Sequence, residues 1–124
     1  MPHIVIIEYD LLMRSLLAEW LAADGYRVHD LTDDNAQTPS PADVVIVDVQ
    51  MPRGLGVERL RSARRAYPGI PIIAISGQFR AGLDCAGPPA RALGVERVIA
   101  KPFGRKTLLN AVRSVMAPAV RDTG

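Results

Sequence analysis

The chain has 124 residues, of which 48% are hydrophobic and 23% charged, and its formal net charge is +2 at pH 7. These values are ordinary for one globular domain with a single core, and the charge is too small to indicate nucleic-acid binding. No apolar run approaches the roughly 18 residues of a membrane span, and no basic segment precedes the first apolar run as in a signal peptide. We therefore expect a cytoplasmic protein without a membrane partner, and the single Cys85 excludes an internal disulfide.

Short apolar runs alternate along the chain with segments of helical periodicity. The expected strands are Ile4–Ile7, Tyr26–Leu31, Asp43–Asp48, Ile70–Ile75 and Arg97–Ala100. The expected helices run from about Leu11 to Asp24, from about Leu55 to Tyr67, from Pro88 or Pro89 to just before Gly94, and from about Gly104 to Met116, with at most one turn over Asp33–Gln37. Asp10 and Gly25 are suited to begin and end the first helix.

Five strands that alternate with helices predict an α/β fold with a doubly wound parallel sheet. Right-handed crossovers between the strands cover both faces of such a sheet. The expected strand order is the flavodoxin-like 2-1-3-4-5, which places a functional site at the carboxyl ends of strands 1 and 3. We expect residues 1–124 to form one domain, with a frayed tail after about residue 117.

Reactive side chains follow four of the predicted strands. They are Glu8, Tyr9 and Asp10 after strand 1, Asp48 as the last residue of strand 3, Ser76 after strand 4 and Lys101 after strand 5. Carboxylates suit Mg²⁺ and can form acyl phosphates, while an ammonium and a hydroxyl can compensate phosphoryl charge. The sequence therefore predicts a magnesium and phosphoryl site. Asp10 is open to two interpretations, a helix cap or a metal ligand, and the cap is favoured.

Three motifs occur in order along the chain: Asp48-Val49-Gln50-Met51-Pro52, Ser76-Gly77 and Lys101-Pro102-Phe103. Together they resemble the D-x-x-M-P, strand-4 hydroxyl and K-P-F signatures of response-regulator receiver domains, in which the Lys–Pro peptide is typically cis. The resemblance extends over Ile4–Met116.

This resemblance implies a single-domain response regulator of a two-component phosphorelay, and not an enzyme. Asp48 would accept a phosphoryl group from a phosphohistidine on a sensor histidine kinase or a histidine phosphotransferase, with Lys101 and Ser76 contacting that group. Mg²⁺ would be held by Glu8, Asp48 and the backbone carbonyl of Gln50. The output would be a protein–protein contact at the surface around the fifth strand.

Two positions depart from the family pattern. Tyr9 stands where a second acid is usual, and because a neutral phenol is a poor ligand for Mg²⁺, we expect weakened Mg²⁺ binding. Val98 stands where an aromatic residue usually switches between buried and exposed positions. These departures leave open an alternative, a receiver-like interaction module that works without phosphorylation.

Other functional classes are disfavoured by particular residues. Aspartyl phosphatases of the haloacid-dehalogenase type need a second acid two residues after the nucleophile, where this chain has Gln50. Flavin carriers need a hydroxyl-rich phosphate loop after strand 1, where Leu11, Leu12 and Met13 are apolar. The arginines of the second helix are interpreted as a solvated face and not as a nucleic-acid patch; they are Arg59, Arg61, Arg64 and Arg65.

Overall fold

The computed structural model describes residues 2–8, 10–30, 41–49, 55–77 and 87–116. The elements in chain order are β1 (His3–Ile7), α1 (Leu11–Ala23), β2 (Arg27–Asp30), β3 (Val44–Asp48), α2 (Leu55–Ala66), β4 (Ile72–Ser76), α3 (Pro88–Leu93), β5 (Arg97–Ala100) and α4 (Arg105–Met116). They match the predicted elements in type and order, with small differences at their ends. The predicted turn over Asp33–Gln37 lies outside the described residues. No helix in the described ranges is long and apolar enough to cross a membrane.

The five strands form one parallel sheet in the order β2-β1-β3-β4-β5, which confirms the predicted fold. Ile4 pairs with Val44 where β1 adjoins β3, and Val45 pairs with Ile72 where β3 adjoins β4. The chain leaves β1 towards the β2 edge and returns on the opposite side at β3. The carboxyl ends of β1 and β3 therefore flank the point where the direction of winding reverses.

Alternate residues of the central strands enter two separate cores on opposite faces of the sheet. Ile4 and Ile46 pack on one face with side chains of α1 and α4, and Val5 and Val45 pack on the other face with side chains of α2 and α3. Both faces are buried because helices cover each of them, which explains why the strands are continuous β-branched runs. In the central strands β1, β3 and β4, polar residues are consequently confined to the strand ends.

The first helix begins at Leu11 as predicted and ends at Ala23, one residue before the predicted Asp24. The Asp10 carboxylate Oδ1 accepts hydrogen bonds from the backbone N–H groups of Leu12 at 3.0 Å and Met13 at 3.2 Å. Gly25 follows the helix with φ +95°, a conformation that glycine adopts without strain. These contacts fix the direction in which α1 leaves the carboxyl end of β1.

The second and third helices are joined through Arg64, an exposed member of the arginine cluster of α2. The Arg64 guanidinium donates to the backbone carbonyls of Leu93 and Gly94, at the C-terminus of the short helix α3. It thereby satisfies carbonyls that have no partner within the helix. Arg61 also lies on the exposed face of α2, where it pairs with Glu58.

Two leucines of α1 provide a matched test of this packing. Leu17 is completely buried, whereas Leu12 is 73% exposed. Leu17→Ala should reduce the free energy of unfolding by about 2–5 kcal/mol, because it removes buried methyl groups and leaves a cavity. Leu12→Ala should change that free energy by less than about 0.5 kcal/mol. Urea unfolding followed by Trp20 fluorescence measures both, and equal effects of the two substitutions would contradict the described orientation of α1.

Candidate functional site

Four chemically reactive residues meet at the carboxyl edge of the sheet. Glu8 follows β1, Asp48 and Ser76 are the last residues of β3 and β4, and Lys101 follows β5. The relative exposure of Glu8, Asp48 and Ser76 is 0%, 7% and 1%. Carboxylates are rarely buried to this degree unless they are paired, so their surroundings must supply compensating charge or hydrogen bonds.

The Lys101 ammonium supplies that compensation. Its Nζ atom lies 2.9 Å from Glu8 Oε1 and 3.4 Å from Asp48 Oδ2, so one cation bridges two carboxylates. The Lys101–Pro102 peptide is cis, and the Lys101 N–H donates to the Ser76 carbonyl at 3.0 Å. Lys101 thus lies within salt-bridge reach of both carboxylates, and Glu8 is its nearer partner.

The cluster contains two carboxylates and one ammonium, so the ammonium cannot fully compensate both negative charges. Burial raises the pKa of the Glu8 carboxyl above its ordinary value, and a hydrogen bond with Asp48 raises it further, against the opposing effects of Lys101 and the Asp10 amide. Burial by itself lowers the pKa of Lys101, but the contact with Glu8 and the charge of Asp48 outweigh it and leave that pKa raised. The site therefore favours a charged lysine and disfavours full ionisation of Glu8.

Asp10 takes the capping position that the sequence favoured. Its carboxylate binds N–H groups in the first turn of α1, and its own backbone N–H donates to Glu8 Oε2 at 3.2 Å. Asp10 thus helps to position the Glu8 carboxylate through its backbone. Its role as a metal ligand stays a prediction.

Arg59 also belongs to this site, which corrects the expectation of a solvated position for this residue. Its Nη1 atom donates to the backbone carbonyl of Asp48 at 3.0 Å, and the contact is partly buried. The spacing of α2 contains a signal for this position, because Arg59, Ala63 and Tyr67 recur every four residues, and Ala63 and Tyr67 are buried. Arg59 lies about one turn before Ala63 and two turns before Tyr67, towards the end of α2 nearest the carboxyl edge of the sheet.

The oxygen donors of the site suit a hard divalent cation. Glu8 and Asp48 supply carboxylates, and Mg²⁺ is usually held by one or two carboxylates together with several waters. Within the described residues, no three His, Cys, Asp or Glu side chains come together as a metal-binding group. Tyr9 and Gln50, which bear on this prediction, lie outside the described residues.

Val98 is fully buried in β5, where it packs in the core formed with α2 and α3. A β-branched side chain in this environment has little rotational freedom. The position therefore contributes to packing in the structure.

A family profile agrees with this geometry. Residues 4–113 match the response regulator receiver domain. The chain belongs to this family. Receiver domains are signalling modules of two-component systems that are phosphorylated by histidine kinases or phosphotransfer proteins and generally bind Mg²⁺ at the phosphorylation site. The predicted resemblance is confirmed.

Curated relatives are regulatory proteins of bacteria. The chain is 34% identical to the regulatory protein VirG of Agrobacterium fabrum over 129 aligned residues, which cover 99% of the chain and 50% of VirG. It is 28% identical to the response regulator MprA of Mycolicibacterium vanbaalenii, with coverage of 98% and 53%. The chain thus spans about half the length of these relatives.

Solved structures of receiver domains have the same architecture. A response regulator receiver protein from Burkholderia phymatum is 27% identical with a TM-score of 0.74, and the alignment covers 94% of this chain and 96% of that one. A CheY-like receiver domain protein from Methanospirillum hungatei, at 18% identity, has a TM-score of 0.77 over 98% of both chains and shows the shared fold.

The raised pKa of Glu8 predicts an unusual dependence of stability on pH. A carboxyl whose pKa is higher in the folded state contributes stability below its ordinary value near 4.5, and this contribution is lost as the pH rises through the folded-state pKa. Glu8→Gln should therefore stabilise the fold by about 1 kcal/mol at pH 7, because it removes one of two neighbouring buried charges while Lys101 keeps Asp48 as a partner.

Urea unfolding at about pH 7 and about pH 5 measures this effect, and the advantage of Glu8→Gln should shrink at the lower pH. Glu58→Gln is the matched control, since Glu58 is exposed and pairs only with Arg61 among the contacts described for it. A loss of stability in Glu8→Gln that grows with pH would contradict the prediction.

Proposed function

We propose that this receiver domain works as a single-domain response regulator in which Asp48 accepts a phosphoryl group from a phosphohistidine. The donor is a sensor histidine kinase or a histidine phosphotransferase, and the output is a protein–protein contact. The observation that carries the proposal is the buried bridge of the Lys101 ammonium to Asp48 and Glu8. This bridge brings a nucleophilic carboxylate and a charge-compensating cation together at the strand ends.

Each residue has a role in the proposed transfer. An oxygen of the Asp48 carboxylate attacks the phosphorus, the P–N bond to the histidine breaks, and the imidazole leaves with the electron pair and gains a proton from solvent. Lys101 neutralises charge on the phosphoaspartate, and the Ser76 hydroxyl bonds to a phosphoryl oxygen. Glu8, Asp48 and the Gln50 carbonyl would hold Mg²⁺, which when bound supplies further positive charge to the phosphoryl oxygens.

A second candidate is an interaction module that does not need phosphorylation. It is favoured by the closer approach of Lys101 to Glu8 than to Asp48, and by Val98, which is buried where the family usually has a mobile aromatic residue. Both candidates act by contact with a protein partner. They differ in whether a phosphoryl group on Asp48 controls that contact.

Treatment with a small phosphodonor and Mg²⁺ tests the leading proposal. Intact mass should show at most one phosphoryl adduct. Asp48 is the proposed nucleophile, and Glu8 is proposed to bind the metal. Asp48→Asn should abolish the adduct, and Lys101→Met should reduce its yield because the compensating charge is lost.

An adduct that is still formed by Asp48→Asn would contradict the assignment of Asp48 as the nucleophile. A wild-type protein that gives no adduct with the phosphodonor or with a kinase would favour the second candidate. The mass of the protein isolated from its native cells tests whether it acts as a single domain.

Restoring the missing acid tests the predicted effect of Tyr9. Tyr9→Asp should strengthen Mg²⁺ binding by about tenfold to thirtyfold, because opposite charges about 4 Å apart interact by roughly 4 kcal/mol at an effective dielectric near 20 and about half of that should be retained. It should also speed phosphorylation of Asp48. A titration of amide shifts with Mg²⁺ compares the two proteins.

Tyr9→Phe is the control for the loss of the hydroxyl, and it should bind Mg²⁺ as weakly as the wild type. If the wild type already binds as tightly as Tyr9→Asp, another oxygen completes the ligand set, and Tyr9 no longer supports the phosphorylation-independent candidate.

A further inference from the structure

Arg59 projects from α2 towards the reactive edge of the sheet. The neighbouring residues of the same helical stripe, Ala63 and Tyr67, are buried against the sheet, and the Arg59 guanidinium reaches beyond them to the Asp48 carbonyl at 3.0 Å. The carbonyl and the carboxylate of Asp48 are joined through one Cα atom. The guanidinium is therefore held next to the residue that we propose as phosphoacceptor.

Arg59 changes the charge balance of the site. Glu8 and Asp48 carry two potential negative charges, and Lys101 and Arg59 carry two positive charges. The Asp10 carboxylate is engaged with the N-terminus of α1, whose partial positive charge compensates it. Among the charged groups that the structure describes at this edge, the formal charges of Glu8, Asp48, Lys101 and Arg59 balance, and a divalent cation would add two positive charges to them.

The charge and the shape of the Arg59 guanidinium have two consequences, one for Mg²⁺ and one for a phosphoryl group. Like charges a few Å apart repel, so a fixed guanidinium weakens the attraction of the carboxylates for Mg²⁺. A guanidinium also has five N–H donors in a planar fork that matches phosphoryl oxygens, so a bond to the Asp48 carbonyl is compatible with a bond to a phosphoryl group.

We propose that Arg59 is a resident cation of this site, which competes with Mg²⁺ beside Asp48 and supplies to the phosphoryl group part of the positive charge that Mg²⁺ supplies. The second half of this inference rests on the proposed function, since it requires phosphorylation of Asp48. The first half concerns metal affinity alone and does not.

Metal affinity is the primary test. Arg59→Gln should bind Mg²⁺ about threefold to tenfold more tightly than the wild type, measured by titration of amide shifts, because it removes a repelling charge. Arg61→Gln is the matched control: it removes the same charge from the same helix, but Arg61 is exposed and paired with Glu58, and its affinity should stay within about twofold of the wild type. Arg59→Lys keeps the charge and should stay near the wild type.

Phosphorylation without metal is the second test. With a small phosphodonor and a chelator, the wild type should keep a larger fraction of its Mg²⁺-dependent rate than Arg59→Gln, and Arg59→Lys should recover part of the difference. A merely structural role of Arg59 would reduce the rates with and without Mg²⁺ in the same proportion. Thermal unfolding of each variant shows that it is folded.

The outcomes separate this inference from the proposed function. Equal Mg²⁺ affinities of Arg59→Gln and Arg61→Gln would overturn the role of Arg59, and so would an Arg59→Lys protein that binds Mg²⁺ as tightly as Arg59→Gln. A wild type that forms no adduct on Asp48 under any metal condition would overturn the proposed function, while the affinity comparison would still decide whether Arg59 competes with Mg²⁺.

Discussion

The bridge of one lysine ammonium to two buried carboxylates is the interaction on which the site depends. Glu8 follows strand β1 and Asp48 ends strand β3, and isolated charges at this depth would be very unfavourable. Their cation arrives from the far side of the sheet, after β5, and its backbone is bonded to the end of β4. The reactive edge is therefore formed only when all four strands are paired. The site is therefore complete only in the folded sheet. The position of the Asp48 carboxylate relative to Lys101 and Glu8 depends on the pairing of these strands.

The topology explains why the chemistry lies at this edge. Helices cover both faces of the parallel sheet, so apolar residues fill the interior of the central strands β1, β3 and β4 and their polar groups remain at the strand ends. The order β2-β1-β3-β4-β5 makes β1 and β3 neighbours whose helices leave towards opposite faces. The carboxyl ends of these two strands, beside Glu8 and Asp48, are therefore the place where such sheets usually bind ligands. The functional residues are thus where the fold has room for charged groups.

Much of this could be predicted because it depends on local patterns and one topological rule. β-branched runs such as Val44–Asp48 predict strands, and the strand order then places Lys101 near Asp48. Arg59 could not be found this way, because four nearby arginines look alike in composition and only tertiary packing distinguishes them. Its spacing from Ala63 and Tyr67 was the available signal. The closer pairing of Lys101 with Glu8 depends on distances across the sheet, which no local pattern encodes.

The two unusual features of the site act in the same electrostatic direction. A tyrosine at position 9, where the family usually has an acid, removes one negative charge, and a guanidinium bonded to the Asp48 carbonyl adds one positive charge. Each change makes the neighbourhood of Asp48 more positive, as a bound Mg²⁺ would. By itself, the tyrosine indicates the loss of a metal ligand and hence weaker Mg²⁺-dependent phosphorylation. Together with Arg59, it fits a site in which the guanidinium of a side chain provides part of the positive charge that Mg²⁺ would otherwise provide. Because a side chain is always present, whereas a metal must bind, such a site would respond less to the Mg²⁺ concentration and more to the conformation of α2.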